Sequence, residues 1–257
     1  MSRSSIKLDT REASSEAPRR AALISRSYRA LSRPFQALPP ILRPVAPVIL
    51  AAGLLSSAAG AEPLRVVALG DSLSAGYMLP ADAAFPFQLE RRLAADGVDA
   101  KVVNAGVSGD TTGGGLARLA FAMGGGADLV IVELGANDML RGLDPRIAEN
   151  NLEKILDQIK AKGASALLAG MLASGNFGPA YKTRFDAIFP DLATSRGLPL
   201  YPFFLAGVSG DKALTLPDGL HPNAKGVARI VDGIAPLVEE SLKRIGSAKA
   251  ARAAPDR

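Results

Sequence analysis

The chain is predicted to fold as an α/β three-layer sandwich around a central five-stranded parallel sheet. Three observations carry that expectation: five short apolar runs that end in Gly, Asn, Asp or Pro, amphipathic helical patterns alternating with them, and a stretch after residue 61 of the length of one domain. The runs are Arg65 to Gly70, Lys101 to Asn104, Asp128 to Leu134, Ala166 to Met171 and Pro199 to Phe203. Each is nearly continuous in apolar residues, as strands buried on both faces must be.

The intervening helices follow from periodicity. Leu152, Ile155, Leu156 and Ile159 share one helical face, with Lys154, Asp157 and Lys160 opposite. Val227, Ile230, Val231, Ile234, Leu237 and Val238 mark a terminal helix, and Pro236 inside it predicts a kink. Residues 246–257, Gly-Ser-Ala-Lys-Ala-Ala-Arg-Ala-Ala-Pro-Asp-Arg, are expected to be disordered. The glycine clusters Gly113 to Gly115 and Gly124 to Gly126 read as loop punctuation, because neither lies in a phosphate-cradle motif.

Residues 1–61 form a leader. They hold nine Lys or Arg against three Asp or Glu, a net of +6; the whole chain carries +5, so residues 62–257 carry −1. The basic character therefore belongs to the leader, and the domain at 62–245 offers no electrostatic footprint for nucleic acid. Scattered arginines give way to an apolar stretch from Val45 to Ala59, closed by Ala59-Gly60-Ala61, which fits a secretory signal cleaved before Glu62. The apolar stretch is shorter than the roughly 20 residues of a membrane span, so an exported, periplasmic or secreted protein with no stable membrane span is expected.

Composition also narrows the chemistry. There is no cysteine, which excludes disulfides and thiolate nucleophiles. The single histidine, His221, makes a zinc site improbable, so no metal and no organic cofactor are expected. Oxygen nucleophiles remain, and His221 is the one side chain whose ordinary titration range suits a general base near neutral pH.

Ligands of an open parallel sheet bind outside the carboxyl ends of its strands. Four segments fall there: Gly70-Asp-Ser-Leu, Asn104-Ala-Gly-Val-Ser-Gly-Asp, Gly135-Ala-Asn-Asp, and Asp218-Gly-Leu-His-Pro-Asn ahead of the terminal helix. Ser72 alone is a weak signal, since Asp and Ser before a helix are ordinary caps. Nor is this the Gly-x-Ser-x-Gly elbow, because Ser74 stands where the second glycine belongs. A shallow, flexible site is expected instead.

Taken together, the four segments resemble the SGNH or GDSL hydrolase family, with Ser72, Gly106, Asn137 and His221 matching its four blocks. The resemblance spans about Leu64 to Leu242 and, within the family, is strongest to the small periplasmic thioesterase, lysophospholipase and arylesterase group. It implies a flavodoxin-like SGNH hydrolase fold and a catalytic triad of Ser72, Asp218 and His221. It also implies an oxyanion hole made by the Ser72 and Gly106 backbone N–H groups and the Asn137 amide. The implied partner is a small-molecule acyl ester or thioester, cleaved through an acyl-enzyme; the oligomeric state is left open.

Tyr77, Met78, Leu172 and Phe177 are candidate substrate-binding residues of an acyl groove, with core packing an equal alternative. Leu79, Phe85 and Tyr181 share that ambiguity. Asp71 and Asp138 are expected to cap helices or hold loops, and Asp110 to hold a turn or bond across the site. Two rival functions stay open. One is a carbohydrate O-acetylesterase or acyltransferase using the same residues, and the other a non-catalytic binding protein of the same fold.

Overall fold

A computed structural model describes residues 62–253, so the leader at 1–61 lies outside the described residues. Five strands form one parallel sheet: β1 (Leu64–Gly70), β2 (Ala100–Gly106), β3 (Leu129–Glu133), β4 (Ser165–Ala169) and β5 (Leu200–Tyr201), in the order β2-β1-β3-β4-β5. Val66 to Leu69, Leu129 to Val132 and Leu167 to Ala169 are wholly buried, as expected for strands covered on both faces. The predicted runs and the observed strands agree to within a few residues at each end.

Among the described residues, seven α-helices flank the sheet: α1 (Ser72–Ala75), α2 (Phe85–Ala95), α3 (Thr112–Ala122), α4 (Ala136–Leu140), α5 (Pro145–Ala161), α6 (Pro179–Arg196) and α7 (Ala224–Ala253). α2 packs on α7 over one face, and α5 packs against α3 and α6 over the other. The predicted face of α5 is the buried one: Leu152, Ile155, Leu156 and Ile159 are at most 3% exposed. No helix among the described residues is long and apolar enough to cross a membrane.

Two sequence expectations need correction. Residues 246–253 are not irregular but the last turns of α7, and residues 254–257 lie outside the described residues. The alanines of those turns favour helix, the Ser247 hydroxyl donates to the Lys243 carbonyl at 2.9 Å, and Lys249 pairs with Asp128 at 2.5 Å. Gly113 to Gly115 are likewise not loop but the first turn of α3, capped by the Thr111 hydroxyl accepting from the Gly114 N–H. Glycine is needed there because a Cβ on Gly115 would lie 2.3 Å from the Leu134 side chain.

The strand order reverses at β1, whose chain neighbour β2 lies on one side and β3 on the other. Such a switch point opens a crevice at the carboxyl ends of the two strands that flank it. Ser72 follows β1 and Asn137 follows β3, so both stand at that crevice.

Candidate active site

The nucleophile candidate sits on a one-turn helix built by its own sequence. Asp71 caps α1, accepting from the Leu73 N–H at 3.0 Å. Gly76 ends it in the left-handed conformation at φ +82°. No larger residue fits, because a Cβ at Gly76 would meet the Ala84 Cβ at 2.5 Å.

The histidine arrives from the long connection after β5. That connection folds back on itself: the Leu216 N–H donates to the His221 carbonyl at 2.7 Å and the Asn223 N–H to the Leu214 carbonyl at 2.9 Å. Asn223 also accepts from the N–H groups of Lys225 and Gly226, at 3.0 Å each, which starts α7. Gly226 permits the close approach, since a Cβ there would lie 2.1 Å from the Leu214 carbonyl oxygen.

Three side chains then form a continuous chain of hydrogen bonds. His221 Nε2 lies 2.9 Å from Ser72 Oγ, and His221 Nδ1 lies 2.7 Å from Asp218 Oδ2. Asp218 Oδ1 is itself held by the N–H groups of Leu220 and His221, at 2.9 and 3.0 Å. Those backbone donors, with the imidazole, hold the Asp218 carboxyl down at about 2. It therefore stays ionised throughout the range in which an imidazole titrates. An imidazole oriented by a carboxylate and bonded to a hydroxyl can remove the hydroxyl proton as it attacks.

Two N–H groups at this end of the sheet are free to donate, as an oxyanion would require. The Ser72 backbone N–H finds no acceptor among the described residues. Asn137 Nδ2 donates to Asp71 Oδ2 at 2.9 Å, which fixes the amide and leaves its second N–H available. Gly106 is different. Its N–H already donates to Asn104 Oδ1 at 3.0 Å, and a Cβ there would lie 2.3 Å from the Ala75 nitrogen and 2.9 Å from the Asp71 oxygen. The geometry thus gives Gly106 a packing role, the close approach of β2 to α1.

The glycine with a free N–H is Gly109, three residues on. It adopts φ +86°, its N–H has no acceptor among the described residues, and its carbonyl accepts from Arg141 at 2.7 Å. Sequence reasoning passed over it because Gly106 lies nearer the strand end. The turn sequence Ser108-Gly109-Asp110, in which only glycine takes a positive φ easily, was the available signal.

Asp138 and Asp110 hold loops. Asp138 is 1% exposed and accepts from the Thr112 N–H and hydroxyl at 2.7 Å each, joining the start of α3 to α4. Asp110 pairs with Arg118 at 2.5 Å. The same guanidinium donates to the carbonyls of Ala105 at 2.6 Å and Gly70 at 2.8 Å, so one side chain ties together the ends of β1 and β2.

Beneath Ser72 lies a carboxylate that the sequence reading took only as part of a strand. Glu133, wholly buried, accepts through Oε2 from the Ser74 hydroxyl at 2.7 Å and from the N–H groups of Asp71 and Ser74 at 3.2 Å each. Its Oε1 finds no partner among the described residues. Burial pushes the Glu133 carboxyl well above its usual range, and repulsion from Asp71 adds to this. Burial likewise raises Asp71 from 3.8 to about 6.

Of the expected groove residues, Met78, Leu172 and Phe177 are exposed, the first at 77%. Phe177 also packs against Tyr181 at 5.1 Å and meets Gly142. Tyr181 donates to the Leu143 carbonyl at 3.0 Å, while Leu79 and Phe85 pack in or against the core. Tyr77 lies on the His221 ring, 4.4 Å between centroids. A cavity of about 790 Å³ lies at the opposite, amino edge of the sheet, lined by Leu129, Ser165 and Leu198 among others. Around Ser72, the His221 side chain is about one-fifth and that of Asp218 about one-third exposed.

A profile of the "GDSL-like Lipase/Acylhydrolase family" matches residues 68–229. The chain belongs to that family. This GDSL-like chain is 40% identical over 180 residues to an arylesterase of Vibrio mimicus, covering 70% of this chain and 90% of that one. It is 42% identical over 179 residues to "Thioesterase 1/protease 1/lysophospholipase L1" of Escherichia coli K12, covering 69% and 84% respectively. The crystal structure of TesA superposes with a TM-score of 0.65 at 37% identity, over 70% of this chain and 99% of that one. The family membership and these relatives make the protein a carboxylic ester hydrolase of the SGNH type.

Two predictions follow from the packing beneath Ser72. Gly106→Ala drives a Cβ into α1 and should lower stability by roughly 1–3 kcal/mol, seen as a drop of several degrees in Tm; an unchanged Tm would contradict the packing role. Asp71 and Glu133 bind protons more tightly when folded than unfolded. The native state is therefore penalised as pH rises from the ordinary carboxyl value of 3.8 through about 6 and beyond. Urea unfolding of Glu133→Gln from pH 4 to pH 8 should show a smaller loss of stability over that window than the wild type.

Proposed function

We propose that the protein hydrolyses short to medium acyl esters or thioesters with Ser72 as nucleophile, His221 as general base and acid, and Asp218 as the group that orients the imidazole. The observation that carries this reading is the unbroken chain from Ser72 Oγ through both nitrogens of the only histidine to Asp218, at 2.9 and 2.7 Å.

In the acylation step Ser72 Oγ bonds to the substrate carbonyl carbon while His221 Nε2 takes its proton. Negative charge gathers on the former carbonyl oxygen. The Ser72 N–H, the second N–H of Asn137 Nδ2, and the Gly109 N–H in place of that of Gly106 are the donors we assign to it. Collapse breaks the bond to the leaving oxygen or sulfur, which receives the proton from His221, and leaves an acyl-Ser72 ester. Water then attacks that ester with His221 as base, releasing the carboxylic acid and restoring Ser72.

The exposed apolar residues Met78, Leu140, Leu172 and Phe177 all follow the carboxyl ends of β1, β3 and β4, the sheet edge that carries Ser72, which favours an acyl chain over a sugar as the group bound there. The names of the relatives agree with arylester, thioester or lysophospholipid substrates. A leader of net +6 ending in Ala59-Gly60-Ala61 supports export to the periplasm or beyond, with the chain starting at Glu62 after cleavage.

Initial rates of the 62–257 protein on p-nitrophenyl esters from acetate to palmitate test the reading. We expect a maximum at one chain length and a loss of roughly a thousandfold or more in Ser72→Ala and His221→Ala. Full rates in either variant would refute the assignment. Activity on acetylated sugars that exceeds activity on every p-nitrophenyl ester would move the substrate to carbohydrate.

A further inference from the structure

Tyr77 covers the general base. Its ring lies 4.4 Å from the His221 ring, centroid to centroid, with the planes 35° apart. The local backbone holds it there. The Tyr77 N–H donates to the Ser72 carbonyl at 3.1 Å, so the tyrosine leaves the same helical turn that carries the nucleophile. On either side stand Gly76 at φ +82° and Met78 at φ +55°, and Met78 is the one non-glycine residue with a positive φ among the described residues. A left-handed methionine costs free energy, and such strain persists only where the surroundings over-determine it.

The site needs such a cover. Asp218 is about one-third exposed and His221 about one-fifth, so the imidazolium formed when Ser72 attacks is only partly shielded from water. An aromatic face against a cation stabilises it through the ring quadrupole, and the gain grows as water is excluded. A stacked ring also restricts the imidazole to the orientation that reaches Ser72.

We propose that Tyr77 is a positioning residue for the base: its ring face, not its hydroxyl, orients His221 and stabilises the imidazolium of the transition state. This rests on the ester-hydrolysis reading above, in which His221 carries the proton. The titratable groups that face His221 are Asp218 on its own loop and Asp71 at the head of α1. Both remain in the variants below.

The test compares Tyr77→Leu with Tyr77→Phe on p-nitrophenyl acetate, butyrate and octanoate, using untagged protein. For Tyr77→Leu we expect kcat/KM to fall about two- to thirtyfold, equally for all three esters and chiefly through kcat, with the acidic limb of its pH profile moved to lower pH. Tyr77→Phe should restore both. Because the chain has one histidine, its ring-proton NMR signals are unambiguous. They should move downfield in Tyr77→Leu as the tyrosine ring current is lost, whether or not the protein turns over ester.

Equal losses in Tyr77→Phe and Tyr77→Leu would assign the effect to the hydroxyl and overturn the proposal. So would a loss confined to KM that grows with acyl length, which is the signature of a substrate contact. Unchanged kinetics together with unchanged histidine signals would overturn it as well. A failure of the esterase reading would look different, because His221→Ala would then keep its rate.

Discussion

The hydrogen bond between the Ser72 hydroxyl and His221 Nε2 joins residues 149 positions apart, and much of the fold's order serves to hold its two ends. Neither end is rigid by itself. Ser72 belongs to a helix of four residues, far too short to persist alone, and His221 belongs to a loop. The parallel sheet solves the problem by placing both segments at its carboxyl edge and fastening each to buried structure. Asn223 and the close contact at Gly226 fasten the histidine loop to α7. Asp71, Glu133 and the Arg118 guanidinium fasten the turn of Ser72.

That fastening has an electrostatic cost. Glu133 and Asp71 are buried carboxyls that repel one another, and among the described residues no cation bonds to either. Uncharged donors, the Ser74 hydroxyl and several backbone N–H groups, offset part of their desolvation. Stability is thus given up beneath the nucleophile for a fixed geometry above it. The same logic appears at Met78, where an unfavourable backbone angle accompanies the placing of Tyr77.

How much of this was legible beforehand depended on the range of the interaction. The five strands could be read because apolar runs report burial residue by residue. Ser72, Asp218, Asn137 and His221 were legible because the strand-end rule and the family pattern select short segments. Gly109, which we assign to the oxyanion, stands apart from Gly106 through its φ of +86° and through the Gly106 N–H already donating to Asn104 Oδ1. The β2–α1 contact at Gly106, across 31 residues, could not be read from the segment alone. Glu133 was hidden for a similar reason: within Asp128-Leu-Val-Ile-Val-Glu-Leu it reads as a strand end, and only the fold shows it wholly buried. The helical continuation of α7 to Ala253 rests partly on local alanine propensity and partly on the distant pair of Lys249 with Asp128, which no local pattern announces.

Catalysis at this site depends on Ser72 being made nucleophilic by His221. The most direct measurement is intact-mass and peptide-level mass spectrometry after a fluorophosphonate is added to the wild type, Ser72→Ala and His221→Ala. One adduct per chain on Ser72, absent from Ser72→Ala and slowed by orders of magnitude in His221→Ala, is the predicted result. An adduct on another residue, or one formed equally fast without the imidazole, would contradict it.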